Sequence, residues 1–535
     1  MWFKEKIKDT VSVDVAFILT LYALSVFLRL YPKLKVDPHL LSFQGDVWYR
    51  VCMAQYFYDH WSLPEPDIRY RAYGYVPMWY PPLSPFMLAV LARISGLDIP
   101  TVCSRIIPFF EALSSISIFF LARRIYGRLE AYLSSIVLSL TPSFVYFTGI
   151  ADPQSFTLFL IPLAMLIVTA RGDRGLGLKY TVILGLLLTA SFLMHLSYFL
   201  LVICLLLYTV GLVLSRRVPG KVILEVLASV GISQLAAAPW WLPRNLYWWW
   251  IHALVTSSGY MPPFGHLEYY GPTAAVVGMI ALVFSLSRWR RHLPVILWSL
   301  VPLLETQNET IIRLIGKPGL AWTTLAKPLE GFRFYPFVAQ PLALLIAVLL
   351  AYFIYKFRHG YVITFLVISA LAVDLYGYGL DWKLTNAGIT IEEYQAAVWF
   401  KQHTGEDVRI CADYYRAQMF AGVCGGRALL GGVFPLRNVD YPYIKAPGQV
   451  QNDLYILYST PDPYEAWSIA ERYGVTHIYI STPMIQYGNL LSYYKPASEF
   501  GVDTDLNKFN DSRYFETFYY KDTGYGFIWI VRVRP

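Results

Sequence analysis

Phe337-Val338-Ala339-Gln340-Pro341-Leu342-Ala343-Leu344-Leu345-Ile346-Ala347-Val348-Leu349-Leu350-Ala351-Tyr352-Phe353-Ile354-Tyr355 carries no charge, and Lys356 and Arg358 follow it. A run of that length matches the ~20 apolar residues an α-helix needs to cross the hydrocarbon of a bilayer. Ten further apolar stretches fall at 13–31, 104–122, 130–147, 154–170, 180–194, 196–214, 222–238, 272–287, 293–304 and 361–379. The composition agrees: the 535 residues are 56% hydrophobic and 15% charged, with a mean hydropathy of +0.44. Soluble domains carry about 25% charged residues. A disordered chain, a coiled coil and an ordinary cytosolic enzyme are excluded. The expected fold is a polytopic α-helical membrane protein with about 11 transmembrane helices, in the range 10–13.

Charge sets the expected topology. Numbering the stretches in order, Lys4, Lys6 and Lys8 precede the first, and Arg123, Arg124 and Arg128 follow the second. Arg171, Arg174 and Lys179 follow the fourth, and Arg216, Arg217 and Lys221 the sixth. Arg288, Arg290 and Arg291 follow the eighth, and Lys356 and Arg358 the tenth. All of these clusters fall on one side, which the positive-inside rule makes cytoplasmic. The expectation is a multi-pass protein of the cytoplasmic membrane, N-terminus inside and C-terminal tail outside. The net charge of +8 then belongs to basic loops at a membrane face, and no nucleic-acid partner is expected. Arg29, Tyr31 and Pro32 stand at the end of the first stretch, where a signal peptide would place small residues.

Three long segments face outward on this reading: 32–103, 239–271 and 305–336. The first ends in Pro81-Pro82 and an apolar stretch, 83–92, too short to span, which reads as an interfacial or re-entrant helix. The second holds Trp240, Trp241, Trp248, Trp249 and Trp250, suited to the headgroup level. The tail, 381–535, reads as a separate extracytoplasmic α/β domain beyond a transmembrane domain of residues 1–380. A capping box, Thr390 with Glu393, opens a helix over 390–403. Asp462 and Pro463 open another over 463–473. Strand-like runs fall at 408–412, 476–481 and 526–533. Cys411 and Cys424 either pair or remain buried thiols.

No phosphate-binding G-x-x-x-x-G-K-[ST] or strand-linked G-x-G-x-x-G occurs, so ATP-driven work is not expected; H-E-x-x-H, G-x-S-x-G and C-x-x-C are also missing. No internal repeat points to an inverted-repeat transporter. The informative residues are charged groups at the outer membrane edge. Asp46 lies in Gly45-Asp46-Val47-Trp48-Tyr49-Arg50. Asp152 lies in the apolar turn Thr148-Gly149-Ile150-Ala151-Asp152-Pro153-Gln154. A carboxylate there is costly unless paired or functional, although Asp-Pro is also a helix start. Asp46 has the same two readings. Arg333, in Gly331-Phe332-Arg333-Phe334-Tyr335-Pro336, can grip a phosphate bidentately or snorkel. Arg244 invites the same reading. His195 either lines a cavity or packs. Acids beside a phosphate-binding guanidinium suit a substrate with its phosphate at the headgroups and its tail in lipid, such as a polyprenyl-phosphate sugar.

The order of these motifs, with Trp61-Ser62-Leu63-Pro64-Glu65-Pro66-Asp67, Trp79-Tyr80-Pro81-Pro82-Leu83 and Pro341, resembles the GT-C superfamily of integral-membrane glycosyltransferases. Within it, the chain is most similar to the archaeal and bacterial oligosaccharyltransferase catalytic subunit. The resemblance implies a GT-C-like membrane domain and gives roles to individual residues. Asp46 matches the first-loop acid that serves as metal ligand or catalytic base. Asp152 matches the first acid of a D-x-[DE] pair, with Gln154 at the second place. Glu309, in Thr306-Gln307-Asn308-Glu309, resembles the T-x-x-E of the fifth outer loop. Arg333 matches the arginine that contacts donor phosphate. A divalent metal, Mg or Mn, held by Asp46 and Asp152 follows as the implied cofactor. The family's W-W-D-x-G signature, which reads the acceptor hydroxyl of a sequon, is absent. The tail reaches that place with Ile410-Cys411-Ala412-Asp413-Tyr414-Tyr415-Arg416, followed by Gly431-Gly432. The function implied is inverting transfer of a sugar from a polyprenyl-phosphate (dolichol-type) donor to a glycan, lipid or protein acceptor at the outer face. Protein N-glycosylation by an oligosaccharyltransferase, and a lipid-linked-sugar transporter or flippase without chemistry, are the alternatives.

Overall fold

The computed structural model describes residues 2–41, 44–65, 78, 80–244, 246, 270–307, 331–380, 389–405, 408–424, 428–430, 447–487, 506–524 and 526–535. The side chains of 2–11, 44–46, 331–332, 379–380, 414, 428–430, 447–452 and 487 lie outside that description. The chain forms two compact units, one of residues 1–35, 105–243 and 258–384, the other of 36–104, 244–257 and 385–535. Residues 36–104 therefore cluster with the tail.

The first unit is helical. All of the apolar stretches lie largely on helices, and seven helices among the described residues are long and apolar enough to cross a membrane. These are Ser12–Leu34, Ile99–Ile125, Gln154–Arg174, Gly177–Met194, Lys221–Trp241, Tyr335–Lys356 and Gly360–Tyr378. The other stretches fall short for local reasons. Arg128–Leu140 ends at Thr141-Pro142, Tyr198–Leu214 and Pro272–Leu286 have 17 and 15 residues, and Trp289–Glu305 begins with Arg290 and Arg291. Tyr335–Lys356 is the hub: 78% of its apolar window is buried, against 22% for Ser12–Leu34 and Gly360–Tyr378 at the periphery. Leu19, Leu24, Phe27, Phe365 and Leu366 of those outer helices are exposed. In a bilayer such side chains face lipid, while the helices satisfy their own backbone groups. Trp240 and Trp241 sit on Lys221–Trp241; Trp248, Trp249 and Trp250 lie outside the described residues.

The second unit carries the α/β fold. Its sheet has five strands in the order β2-β1-β3-β5-β4. They are β1 Ile410–Cys411, β2 Ala428–Leu430, β3 His477–Ser481, β4 Phe515–Thr523 and β5 Gly526–Val533. β1 lies parallel to β2 and β3, and β5 runs antiparallel between β3 and β4. The expected caps are present. Thr390 Oγ1 accepts from Glu393 N at 3.3 Å while Glu393 Oε2 accepts from Thr390 N at 2.9 Å, opening helix Ile391–His403. Asp462 Oδ1 accepts from Tyr464 N at 2.9 Å at the start of Pro463–Arg472. The 83–92 stretch forms Leu83–Ser95, packed within this unit on Gln44–His60. Cys411 and Cys424 are both buried free thiols. Burial pushes the Cys411 thiol up to about 12, which keeps it protonated and inert.

Candidate functional site

The site in the first unit is built on the turn Thr148–Pro153. Helix Pro142–Phe147 ends at Thr148, and Ala151 adopts a left-handed φ of 57°, which swings the chain into helix Gln154–Arg171. Asp152 is 6% exposed, and its Oδ1 accepts from Gln154 N at 3.1 Å. The helix-start reading of Asp152 therefore holds, and the carboxylate stands at the positive end of the helix dipole.

Gln154 joins this turn to Arg333. Its Nε2 donates to Arg333 O at 3.1 Å, across 179 residues of sequence. Gln340 Nε2 likewise donates to Leu158 O at 2.5 Å. The two bonds register the first turns of Gln154–Arg171 and Tyr335–Lys356 side by side. Their N-terminal N–H groups and positive dipole ends lie at the same end of the unit, with Arg333 on the 3₁₀ turn Gly331–Phe334 just ahead of the second helix. Such helix starts favour anions.

The turn is anchored by a charge inside the spans, which the sequence reading took only as the end of the first stretch. Arg29 is fully buried. Its Nε donates to Thr148 O at 2.8 Å, and its Nη2 to Thr148 Oγ1 at 2.6 Å and Ser115 Oγ at 3.3 Å. Its Nη1 donates to Ser25 O at 2.9 Å. Thr148 Oγ1 in turn donates to Phe144 O at 2.5 Å. Glu111, also buried, acts on Arg29 electrostatically, and its Oε1 lies 3.4 Å from Ser155 Oγ. That hydroxyl donates to Asp152 O at 2.6 Å. A buried cation, a buried acid and two hydroxyls thus hold both ends of the Asp152 turn. The signal was one ionisable residue inside an apolar run, which is costly unless paired.

Each remaining candidate has its own setting. Asp46 lies in the first turn of Gln44–His60 in the second unit, and its side chain lies outside the described residues, as does all of Glu309. Arg244, also in the second unit, has its Nε 3.0 Å from Glu65 Oε2 and shares its charge with that acid. His195 Nδ1 accepts from Ser197 N at 3.0 Å and lies 2.8 Å from Ser197 Oγ, so it holds the break before helix Tyr198–Leu214. Among the described residues, no three His, Cys, Asp or Glu side chains are grouped to hold a metal ion. Within the tail, Asp413 is fully buried. Its Oδ2 lies 3.3 Å from Arg416 Nη1, and Arg416 Nε is 2.7 Å from Glu393 Oε1. Tyr479 donates to the same Glu393 oxygen at 2.9 Å.

Residues 80–242 match the family described as dolichyl-phosphate-mannose-protein mannosyltransferase. No curated protein matches the sequence. Among solved structures, the oligosaccharyltransferase AglB of Archaeoglobus fulgidus, determined with an inhibitory peptide and a dolichol-phosphate, is similar at 14% identity and a TM-score of 0.63. That match covers 99% of this chain and 74% of AglB. ArnT of Cupriavidus metallidurans, bound to undecaprenyl phosphate, matches at 12% identity and a TM-score of 0.56, over 98% of both chains. The mycobacterial arabinofuranosyltransferase AftD matches at 13% identity and 0.61, over 97% of this chain and 40% of its own. The chain shares the fold of these solved structures, in line with the resemblance in its motifs.

Proposed function

We propose that the chain is a glycosyltransferase that moves a sugar from a polyprenyl-phosphate carrier to an acceptor at the outer face of the membrane, with inversion. The observation that carries this reading is the Gln154–Arg333 hydrogen bond. It places an acid, a guanidinium-bearing segment and two helix N-termini on one patch of one unit. A donor phosphate takes the N-terminal N–H groups and the Arg333 guanidinium, which stabilise negative charge as it develops on the leaving group. Asp152 is the base. It takes the proton of the acceptor hydroxyl as that oxygen bonds to the anomeric carbon from the face opposite the phosphate. The carbon–oxygen bond to phosphate breaks, and its electron pair leaves with the polyprenyl phosphate. Asp46 keeps its assignment from sequence as the other essential acid. Carboxylates are hard oxygen donors, and Asp152 would be this unit's ligand to a Mg or Mn ion, which would supply neutralising charge to the phosphate.

Binding of dolichol-phosphate by AglB and of undecaprenyl phosphate by ArnT supports the carrier class. The acceptor is assigned to a class other than a sequon asparagine, because Asp413 is buried against Arg416. Asp152→Asn tests the base. Asparagine caps a helix as well as aspartate, so the fold and polyprenyl phosphate binding stay while transfer falls by 10²-fold or more. Asp46→Asn gives the same pattern. Transfer at the wild-type rate by both variants, assayed with a synthetic polyprenyl-phosphate sugar, removes the assignment.

A further inference from the structure

At the end of the spans that the charge pattern assigns to the cytoplasm, two junctions far apart in sequence meet. One follows Tyr198–Leu214 and carries Arg216 and Arg217; the other joins Pro272–Leu286 to Trp289–Glu305 and carries Arg288, Arg290 and Arg291. Gly211 makes the meeting possible: a Cβ there would lie 2.5 Å from Pro294 Cα, so only glycine lets the two helices approach this closely. Arg217 Nη2 then donates to Arg291 O at 2.7 Å, pinning one junction to the other.

All five arginines are exposed, and among the described residues none has an acid within the 4.0 Å of an ion pair. The contrast with Asp14 is direct. That acid lies 2.7 Å from Arg128 and 3.5 Å from Arg123 and neutralises its own cluster. Among the described residues the five arginines lack such a counter-charge, yet Arg217, Arg288 and Arg290 are held in place. Arg288 Cζ sits 5.1 Å and 4.9 Å from the rings of Phe284 and Tyr352, and Arg290 Cζ sits 5.6 Å from Trp289. Arg216 occupies the left-handed position, φ 57°, of a helix-ending turn in which Arg216 N bonds Val213 O and Arg217 N bonds Leu212 O. Glycine is the usual residue there, and an arginine is strained. Exposed Leu214, Leu286 and Trp289 border the arginines.

We propose that this cluster is a binding site for the headgroup of an anionic phospholipid. The phosphate supplies the missing negative charge, the guanidiniums grip it bidentately, and the bordering Leu214, Leu286 and Trp289 lie against the acyl chains. The site requires only that this end of the spans meets a bilayer surface, and it does not depend on the transfer reaction.

The test is native mass spectrometry of the purified chain from nanodiscs of equal phosphatidylglycerol and phosphatidylcholine. The wild type retains phosphatidylglycerol selectively. Arg216→Gly removes a charge and the backbone strain together, so it folds at least as well and loses about fivefold in retention, the worth of one cation at an anionic surface. Arg217→Gln/Arg291→Gln loses more. Arg513→Gln, which removes a tail arginine paired with Asp511 at 2.6 Å, leaves retention unchanged. Equal retention of the two lipids by the wild type, or unchanged retention in both cluster variants, overturns the proposal.

Discussion

Replacing Thr148 with valine removes one hydroxyl and almost no volume from the anchor of the Asp152 turn. That oxygen accepts from Arg29 Nη2 at 2.6 Å and from Nε at 3.1 Å, and donates to Phe144 O at 2.5 Å. Arg29 keeps Thr148 O, Ser25 O and Ser115 Oγ. The loss is therefore one strong and one weak bond to a buried cation, plus a local back-bond. Hydrogen bonds to charged groups contribute about 1.5–3 kcal/mol, whereas interhelical polar contacts in membranes average about 0.6 and reach about 1.7 kcal/mol. The burial and charge of Arg29 put Thr148→Val in the overlap, at roughly 1.5–1.7 kcal/mol of lost stability. Thr148→Ser keeps the oxygen and loses a methyl, at about 0.8 kcal/mol or less. The assay is reversible unfolding in mixed micelles, with transfer activity measured alongside. Thr148→Val should lower kcat more than it weakens polyprenyl phosphate binding, because it loosens the turn that aims Asp152. Equal stability and equal kcat for the valine and serine variants would refute the anchoring role of Arg29.

Two further outcomes follow from individual contacts. Gln154→Glu exchanges a donor to Arg333 O for a carboxylate facing that carbonyl, so polyprenyl phosphate binding should weaken at least tenfold in a direct binding assay; unchanged or tighter binding would detach Gln154 from the phosphate site. In the tail, burial and the charge of Arg532 hold His477 down to about 4 from the usual 6.5. The unfolded chain takes up this proton first as pH falls. The stability held by neutral His477 is therefore full above 6.5 and is lost between 6.5 and about 4, at roughly 3 kcal/mol in all. His477→Gln should flatten the acid limb of a pH-dependent unfolding curve, and a limb parallel to wild type would contradict the assignment.

Much of the helical framework was legible because hydropathy over a span-length window is a strong signal. The run 337–355 became the buried hub, and 180–194 became Gly177–Met194. The capping box at Thr390 and the strand at 526–533 were readable from local chemistry alone. Other elements were hidden by their own composition. β4 mixes aromatic, charged and threonine residues on the sheet edge, with no alternation of apolar and polar, and β2 is three residues long. Asp152, Gln154 and Arg333 were named from their places in the chain, but the bond that unites them spans 179 residues and has no local signature. Glu111 and the anchoring role of Arg29 were missed because an apolar window averages a single charge away. The unpaired arginine cluster was visible as two separate basic loops, whereas its convergence depends on the fit of Gly211 against Pro294.

The central claim is that the bond between sugar and carrier is broken at this site. Purified protein in liposomes, supplied with a polyprenyl-phosphate sugar labelled in both sugar and lipid and with candidate glycan, lipid and peptide acceptors, measures it directly. The account predicts acceptor-dependent release of free polyprenyl phosphate, the label moved to the acceptor with inverted anomeric configuration, and loss of that release in Asp152→Asn. Donor that crosses the bilayer with its sugar still attached, and with no polyprenyl phosphate freed by any acceptor, would contradict it.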